Sequence, residues 1–122
     1  GKARPRVTRW GTHTPEKTVL YENLVKLCYQ DQCGKYTEKP LYAVLKIYYG
    51  IPKSTPKKHI EPMLNGKIRP CKKPDIDNVC KIIFDALNGI AYKDDMQIVQ
   101  LHATKFYAET ACVEVDLMEV TE

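Results

Sequence analysis

The sequence predicts a small α/β domain of the α+β kind, with two main helices and a small mixed sheet. Its 122 residues suit one domain, since domains commonly run to about 100–150 residues. The hydrophobic and charged fractions, 43% and 28%, are those of an ordinary globular protein. Apolar residues recur at helical spacing in two segments, and strand-like patterns occupy three others. We therefore expect residues 1–122 to form a single domain.

The first quarter of the chain is predicted to hold an arm and one helix. Residues 1–13 are expected to be extended or flexible, because Pro5 and Gly11 interrupt any regular pattern. Thr14-Pro15 places a capping residue before a proline, which is typical of a helix start, and Gly34 ends the helix. Five apolar residues recur between them at helical spacing: Val19, Leu20, Leu24, Leu27 and Cys28.

The middle of the chain is predicted to form a strand and a long basic segment. Residues 41–49 place apolar or aromatic side chains on both faces of a strand. Residues 53–74 are rich in lysine and proline and contain at most one short helix, around Lys57 to Leu64. An insertion of this length is either functional or mobile.

The last third is predicted to form a helix and two strands. The pattern from Ile76 to Asn88 is helical, and Gly89 follows as a C-terminal cap. Residues 97–107 and 111–119 are predicted strands, joined by a turn near Glu109-Thr110. We expect the sheet to contain at least one antiparallel pair.

Charge is distributed unevenly, although the formal net charge is only +4. Residues 1–9 carry four cations and no acid, residues 46–73 carry eight cations and one acid, and residues 74–122 carry three cations and ten acids. A basic block is either a solvated loop or a surface that attracts a polyanion. The cations expected to contact nucleic-acid phosphates are Lys2, Arg4, Arg6, Lys57, Lys58, Arg69, Lys72 and Lys73.

Composition argues against several classes of protein. The longest uncharged apolar run, Leu41 to Leu45, is far shorter than the ~20 residues of a membrane span, and no signal peptide is visible. We therefore expect a soluble, cytoplasmic protein. The five cysteines are odd in number and form no C-x-x-C. A disulfide scaffold or structural zinc site is not expected, and the cysteines are predicted to be buried free thiols.

Carboxylates flank the predicted helix of residues 76–88. Asp75 and Asp77 stand where it begins, and Asp94-Asp95 follow it. A helix cap explains one of these acids but not all of them, and carboxylate oxygens suit Mg²⁺. Asp77, Lys81 and Asp85 are predicted to lie one above another on one face of this helix, so Lys81 projects one turn from Asp77. It is either half of a surface ion pair or a cation that stabilises charge in a phosphoryl-transfer reaction.

Several motifs in order resemble one known family. They are Lys73-Pro74-Asp75-Ile76-Asp77-Asn78, then Lys81, then Asp85-Ala86-Leu87, and finally Asp94-Asp95-x-Gln97-x-Val99. Together they resemble the RusA family of Holliday junction resolvases. The resemblance implies a homodimeric endodeoxyribonuclease that nicks four-way DNA junctions symmetrically with Mg²⁺, for which Mn²⁺ is expected to substitute. It also implies roles in recombination and repair, and a bacterial source that is commonly a phage or prophage.

The resemblance assigns roles to individual residues. Asp75, Asp77 and Asp95 are implied to be the metal-binding catalytic acids, Asp94 an accessory carboxylate and Lys81 an essential lysine. Members of the family begin with a strand before the Lys-x-Arg-Pro-Arg segment, whereas this sequence starts at Gly1. We therefore expect that strand to be missing from the sheet.

Two other classes of function stay open on the sequence. A non-catalytic nucleic-acid-binding protein would share the basic segments, and another Mg²⁺-dependent phosphotransferase or nuclease would share the carboxylates. The strand of residues 41–49, with Tyr42, Tyr48 and Tyr49, is a candidate dimer surface, although core packing explains most of its side chains.

Overall fold

A mixed four-stranded sheet and two helices are formed by residues 6–7 and 34–120, which are the residues that the computed structural model describes. The expectation of a small mixed sheet in an α+β domain is confirmed. In chain order the elements are β1 (Arg6–Val7), β2 (Leu41–Gly50), α1 (Lys57–Leu64), α2 (Ile76–Leu87), a 3₁₀ turn (Asp95–Gln97), β3 (Ile98–Ala108) and β4 (Cys112–Glu119).

The strand order is β1-β4-β2-β3. β2 pairs with β3 in parallel and with β4 antiparallel. The predicted antiparallel pair is therefore present, but it does not join the last two strands, because β2 lies between them. The connection from β3 to β4 passes the end of β2, where a side chain at Gly50 would lie 3.8 Å from the backbone nitrogen of Ala111.

The core lies between the sheet and α2. Alternate residues of β2, from Leu41 to Tyr49, are buried, as the two-residue period of a strand requires. α2 buries one side and exposes Asp77, Lys81 and Asp85 on the other, as its sequence predicts. The buried residues of α2 are Val79, Cys80, Ile83, Phe84, Ala86 and Leu87.

The ends of the elements follow local signals closely. α2 ends one residue before the predicted boundary, and Gly89 adopts the left-handed conformation (φ +76°) that glycine tolerates best. α1 occupies residues 57–64, where a short helix is predicted. The predicted helix that begins at Thr14-Pro15 lies outside the described residues, as does the predicted arm except for β1.

Two further expectations bear on the surface. Of the described residues, no helix is both long and apolar enough to cross a membrane. Cys80 is buried, as predicted for a thiol, whereas Cys71 is exposed because it lies in the basic segment and not in the core.

Candidate active site

The predicted catalytic carboxylates lie at the two ends of α2. Asp75 occupies the N-cap position at the amino end. At the carboxyl end, the backbone nitrogen of Asp95 donates a hydrogen bond to Oδ1 of Asn88 at 2.8 Å. The 12 residues of α2 span about 18 Å. Within the described part of the chain, no three Asp, Glu, His or Cys side chains come together to hold an ion. A single chain therefore does not gather Asp75, Asp77 and Asp95 at one point.

Asp75 and Asp77, which we call the amino-terminal pair, are both exposed. Asp75 has the extended backbone of an N-cap residue, yet its side chain makes no capping hydrogen bond. Asp77 accepts a hydrogen bond from the backbone nitrogen of Asn78 at 2.9 Å. Helix capping therefore does not occupy the Asp75 carboxylate, which sits at a helix end that favours negative charge.

Tyr49 connects the amino-terminal pair to the sheet. Its ring is buried near the end of β2, and its hydroxyl donates a hydrogen bond to the carbonyl oxygen of Pro74. Burial, together with the negative charge of Asp75, raises the pKa of Tyr49 to about 12. Tyr49 is therefore part of the core and positions the chain immediately before Asp75.

The basic segment, residues 53–73, is anchored beside this pair. The guanidinium of Arg69 lies 4.6 Å from the ring centre of Phe106, and that ring stacks on Tyr48. Nε of Arg69 donates to the carbonyl oxygen of Gly66 at 2.7 Å, and Nη1 donates to that of Lys105 at 3.1 Å. These contacts attach the segment to β3, so Arg69, predicted to contact DNA, serves here as an anchor.

A second anchor is a residue that the sequence does not point to. Nζ of Lys105 donates to the carbonyl oxygen of Lys72 at 2.8 Å and lies 4.9 Å from the ring centre of Tyr49. Lys72 in turn places its ammonium 5.6 Å from the ring centre of Tyr107. The sequence offers one hint of this role: Lys105 directly precedes two aromatic residues, Phe106 and Tyr107.

Of the other predicted DNA-binding cations, some lie in the basic segment and some near the start of the chain. Those of the basic segment are exposed: Lys57 and Lys58 on α1, and Lys73, two residues before Asp75. Lys2 and Arg4 lie outside the described residues, and Arg6 belongs to β1. Of the described predicted cations, Lys73 is therefore the one that lies next to the amino-terminal pair in the chain.

Lys81 lies on the exposed face of α2, between the two groups of acids. It follows Asp77 by one turn and precedes Asp85 by one turn. A lysine side chain is long enough to approach a group bound at either neighbouring turn.

At the carboxyl end of α2, Asp94 is a structural cap. Its Oδ1 accepts a hydrogen bond from the backbone nitrogen of Met96 at 2.9 Å, and it forms a capping box with Gln97. Oε1 of Gln97 accepts from the backbone nitrogens of Lys93 and Asp94, at 2.8 and 3.0 Å. Nε2 of Gln97 donates to the carbonyl oxygens of Thr37 and Lys39, both at 3.0 Å. Gln97 thus ties together two distant segments, a role that the sequence does not reveal.

Asp95 lies in a crowded acidic environment. Burial raises its pKa, as do the charges of Asp94 and Asp85, while a side-chain hydrogen bond with Asn88 opposes the rise. We call Asp85, Asp94 and Asp95 the carboxyl-terminal acids. The structure brings Asp85 into this group, although the sequence suggests for it only a place on the face of Asp77 and Lys81.

Comparison with known proteins assigns the class of this chain. The family model described as endodeoxyribonuclease RusA matches residues 1–118. The uncharacterized protein YqaN of Bacillus subtilis (strain 168) is 45% identical over 126 residues, which cover 99% of this chain and 89% of YqaN. The class is therefore that of the endodeoxyribonucleases. The chain belongs to the RusA family, whose nucleases generally depend on divalent metal ions.

Proposed function

We propose that this protein is a Mg²⁺-dependent, homodimeric endodeoxyribonuclease that resolves four-way DNA junctions by paired symmetric nicks, in recombination and repair. The observation that carries the proposal is the exposed amino-terminal pair directly beside an anchored basic segment. Lysines hold a phosphate backbone without reading bases, as recognition of branch shape requires.

Asp75 and Asp77 are the proposed metal ligands. Mg²⁺ usually takes one or two protein carboxylates and completes its shell with water and substrate phosphate, so an exposed pair fits it and Mn²⁺ should substitute. Asp75 and Asp77 would hold an ion whose chemistry would be to activate a water and to polarise the scissile phosphate. Asp75 suits this role because its carboxylate makes no capping hydrogen bond.

Lys81 is proposed to stabilise the negative charge that develops on the phosphate. Its place one turn beyond Asp77 puts its ammonium on the same exposed face of α2. Lys81 is also the one cation in α2, so its charge offsets the repulsion between the carboxylates of α2 and the phosphates of DNA.

Asp95 is proposed as the third essential acid, with Asp94 as an accessory charge. In a single chain Asp95 lies at the other end of α2 from the amino-terminal pair. Whether Asp95 binds the same metal ion as Asp75 and Asp77 therefore needs its own experiment. Titration with Mn²⁺, followed by electron paramagnetic resonance, answers it. If Asp95→Asn weakens Mn²⁺ binding as much as Asp75→Asn does, the acids share an ion.

A gel assay tests the function directly. A labelled four-way junction, a linear duplex of the same sequence and a single strand are incubated with the protein in Mg²⁺ or in chelator. We expect symmetric nicks in the junction alone, and only with Mg²⁺. Binding without cleavage would favour a non-catalytic nucleic-acid-binding protein, and equal cleavage of all three substrates would favour another nuclease.

Lys81→Ala tests the chemical step within that assay. We expect junction binding and the circular dichroism spectrum to persist while cleavage is lost, since Lys81 is exposed. Lys93→Ala, also an exposed lysine, is the matched control and should cleave normally. Equal cleavage by both variants would contradict the role of Lys81.

A further inference from the structure

Asn88 joins the end of α2 to the third proposed acid, seven residues further along the chain. It is the C-cap residue of α2, and its backbone nitrogen donates a hydrogen bond to the carbonyl oxygen of Asp85 at 3.3 Å. Its side chain crosses the loop that follows, where Oδ1 accepts the hydrogen bond from the backbone nitrogen of Asp95 at 2.8 Å. Both residues are half-buried, so the contact is partly shielded from water.

The amide of Asn88 has a second use on the same residue. The carboxylate of Asp95 takes a side-chain hydrogen bond from Asn88. An amide offers an acceptor oxygen and a donor nitrogen, whereas an ionised carboxylate only accepts. Because Oδ1 is engaged with the backbone, Nδ2 is the atom that donates to the carboxylate. Asn88 therefore holds both the backbone and the side chain of Asp95.

The backbone contact ties Asp95 to α2. Asp95 is the first residue of the 3₁₀ turn, where backbone N–H groups have no partner inside the turn. Asn88 supplies that partner from the end of α2, while the capping box of Asp94 and Gln97 holds the turn itself. Asp95 is thus fixed relative to the helix that carries Lys81, and not only within its own turn.

An amide suits this place because its neighbours are acids. The charges of Asp94 and Asp85 act on Asp95, and a carboxylate at position 88 would add to their repulsion. The neutral Asn88 holds Asp95 without that repulsion. Asp95 also lines a groove of about 300 Å³ beside Phe84, so the residue that Asn88 holds borders open space.

We propose that Asn88 is a positioning residue for DNA cleavage, which acts by holding Asp95 in a fixed place beside α2. This inference rests on the proposed function, in which Asp95 is an essential acid. A misplacement of about 1 Å can slow a reaction about a hundredfold, and loss of an outer-shell hydrogen bond commonly costs about 10–100-fold. Asn88 should therefore affect the rate of cleavage and not the affinity for the junction.

Single-turnover cleavage of a four-way junction, with the protein in excess, separates rate from affinity. In Mg²⁺, Asn88→Ala should slow cleavage at least about tenfold, and the dissociation constant of the junction in chelator should stay within about twofold. Thr37→Ala is the matched control. Thr37 is also half-buried, and its side-chain oxygen accepts a hydrogen bond from the backbone nitrogen of Lys39 at 3.1 Å. This variant should cleave at the rate of the natural chain.

A double-mutant cycle shows whether Asn88 acts through Asp95. Asp95→Asn alone should slow cleavage at least about a hundredfold, and adding Asn88→Ala should slow it no further, because no carboxylate is left to position. A merely structural role would slow both backgrounds by the same factor. Equal factors, or a folded Asn88→Ala chain that cleaves at the natural rate, would overturn the inference.

Asn88→Asp replaces Asn88→Ala if the latter unfolds by circular dichroism. It keeps an oxygen for the backbone nitrogen of Asp95, but it cannot donate to the carboxylate when ionised and it adds negative charge. We expect it to fold and to cleave at least about tenfold more slowly. Cleavage at the natural rate by this variant would also overturn the inference.

The same assay separates this inference from the proposed function. A natural chain that cuts no junction would refute the nuclease, and the inference would fall with it. If the natural chain cuts, Asp95→Asn does not, and the Asn88 variants cut at full rate, the nuclease stands and the inference alone fails. If Asp95→Asn cuts as fast as the natural chain, the nuclease stands, but the role of Asp95 and the inference both fail.

Discussion

The two ends of α2 carry the same kind of side chain in opposite surroundings. At the amino end, Asp75 and Asp77 are exposed beside the basic segment, and capping leaves the Asp75 carboxylate unused. At the carboxyl end, Asp94 caps a 3₁₀ turn and Asp95 bonds to Asn88, with Asp85 close to them.

The difference shows that surroundings, and not residue type, decide whether an aspartate is left exposed or is held by hydrogen bonds within the fold. Carboxylates beside cations face a surface that attracts phosphate. At the other end, burial and then repulsion from Asp94 and Asp85 raise the pKa of Asp95. Asn88 and Gln97 hold that second group in place. A motif rich in aspartate therefore contains exposed members as well as members held by hydrogen bonds within the fold.

The largest expected effect separates the two ends. Asp77→Asn should slow junction cleavage at least about a hundredfold, since replacing even an outer-shell partner of a metal commonly costs 10–100-fold. Asparagine keeps the shape of aspartate, and Asp77 is exposed in the first turn of α2, so thermal unfolding should change little. Asp94→Asn preserves a cap, because asparagine caps as well as aspartate, and should retain most of the activity. Equal loss of activity in both variants would remove the distinction between the two ends.

The next effect concerns the stability of the carboxyl-terminal end. Gln97→Ala removes four hydrogen bonds to backbone groups. At about 0.5–1.5 kcal/mol each, the free energy of unfolding in urea should fall by about 2–6 kcal/mol. Gln100→Ala, at an exposed position, should change it by less than about 0.5 kcal/mol. Similar values for the two variants would show that Gln97 does not hold the turn.

A smaller effect tests how the basic segment is attached. Arg69→Ala removes the contact with Phe106 and two hydrogen bonds, and should weaken junction binding about tenfold. Since the guanidinium is engaged with the protein, the dependence of affinity on salt should not change. Lys58→Ala should reduce the slope of log affinity against log salt concentration by roughly 1, the value for one phosphate contact. A reduced salt slope in Arg69→Ala would mean that Arg69 leaves Phe106 and contacts DNA.

The smallest effect appears at alkaline pH. The pKa of Tyr49 rises from 10.0 to about 12 on folding, so the unfolded chain loses this proton first. Stability should therefore fall as pH rises from 10 toward 12, with Tyr49 contributing up to about 1.4 kcal/mol per pH unit. Tyr49→Phe should flatten this fall, and Tyr42→Phe is the control on the same strand. An identical alkaline slope in all three proteins would show that Asp75 and burial do not act on Tyr49.

Several features were determined by the sequence alone, because they depend on neighbouring residues. The start of α2 at Ile76 follows from the helical spacing of its apolar residues, and its end before Gly89 follows from the preference for glycine after a helix. The alternation in β2 and the exposed stripe of Asp77 and Lys81 follow from the periods of strand and helix. The motifs also identified the family correctly.

Other features were decided only by the tertiary structure, because they depend on residues far apart in the chain. β2 lies between β3 and β4, so the last two strands do not pair. Arg69 meets Lys105 across 36 residues, and Gln97 meets Thr37 across 60. The length of α2 separates Asp75 from Asp95, although both belong to one motif pattern. A sequence pattern specifies which face of an element a side chain occupies, but packing decides which other side chains it meets.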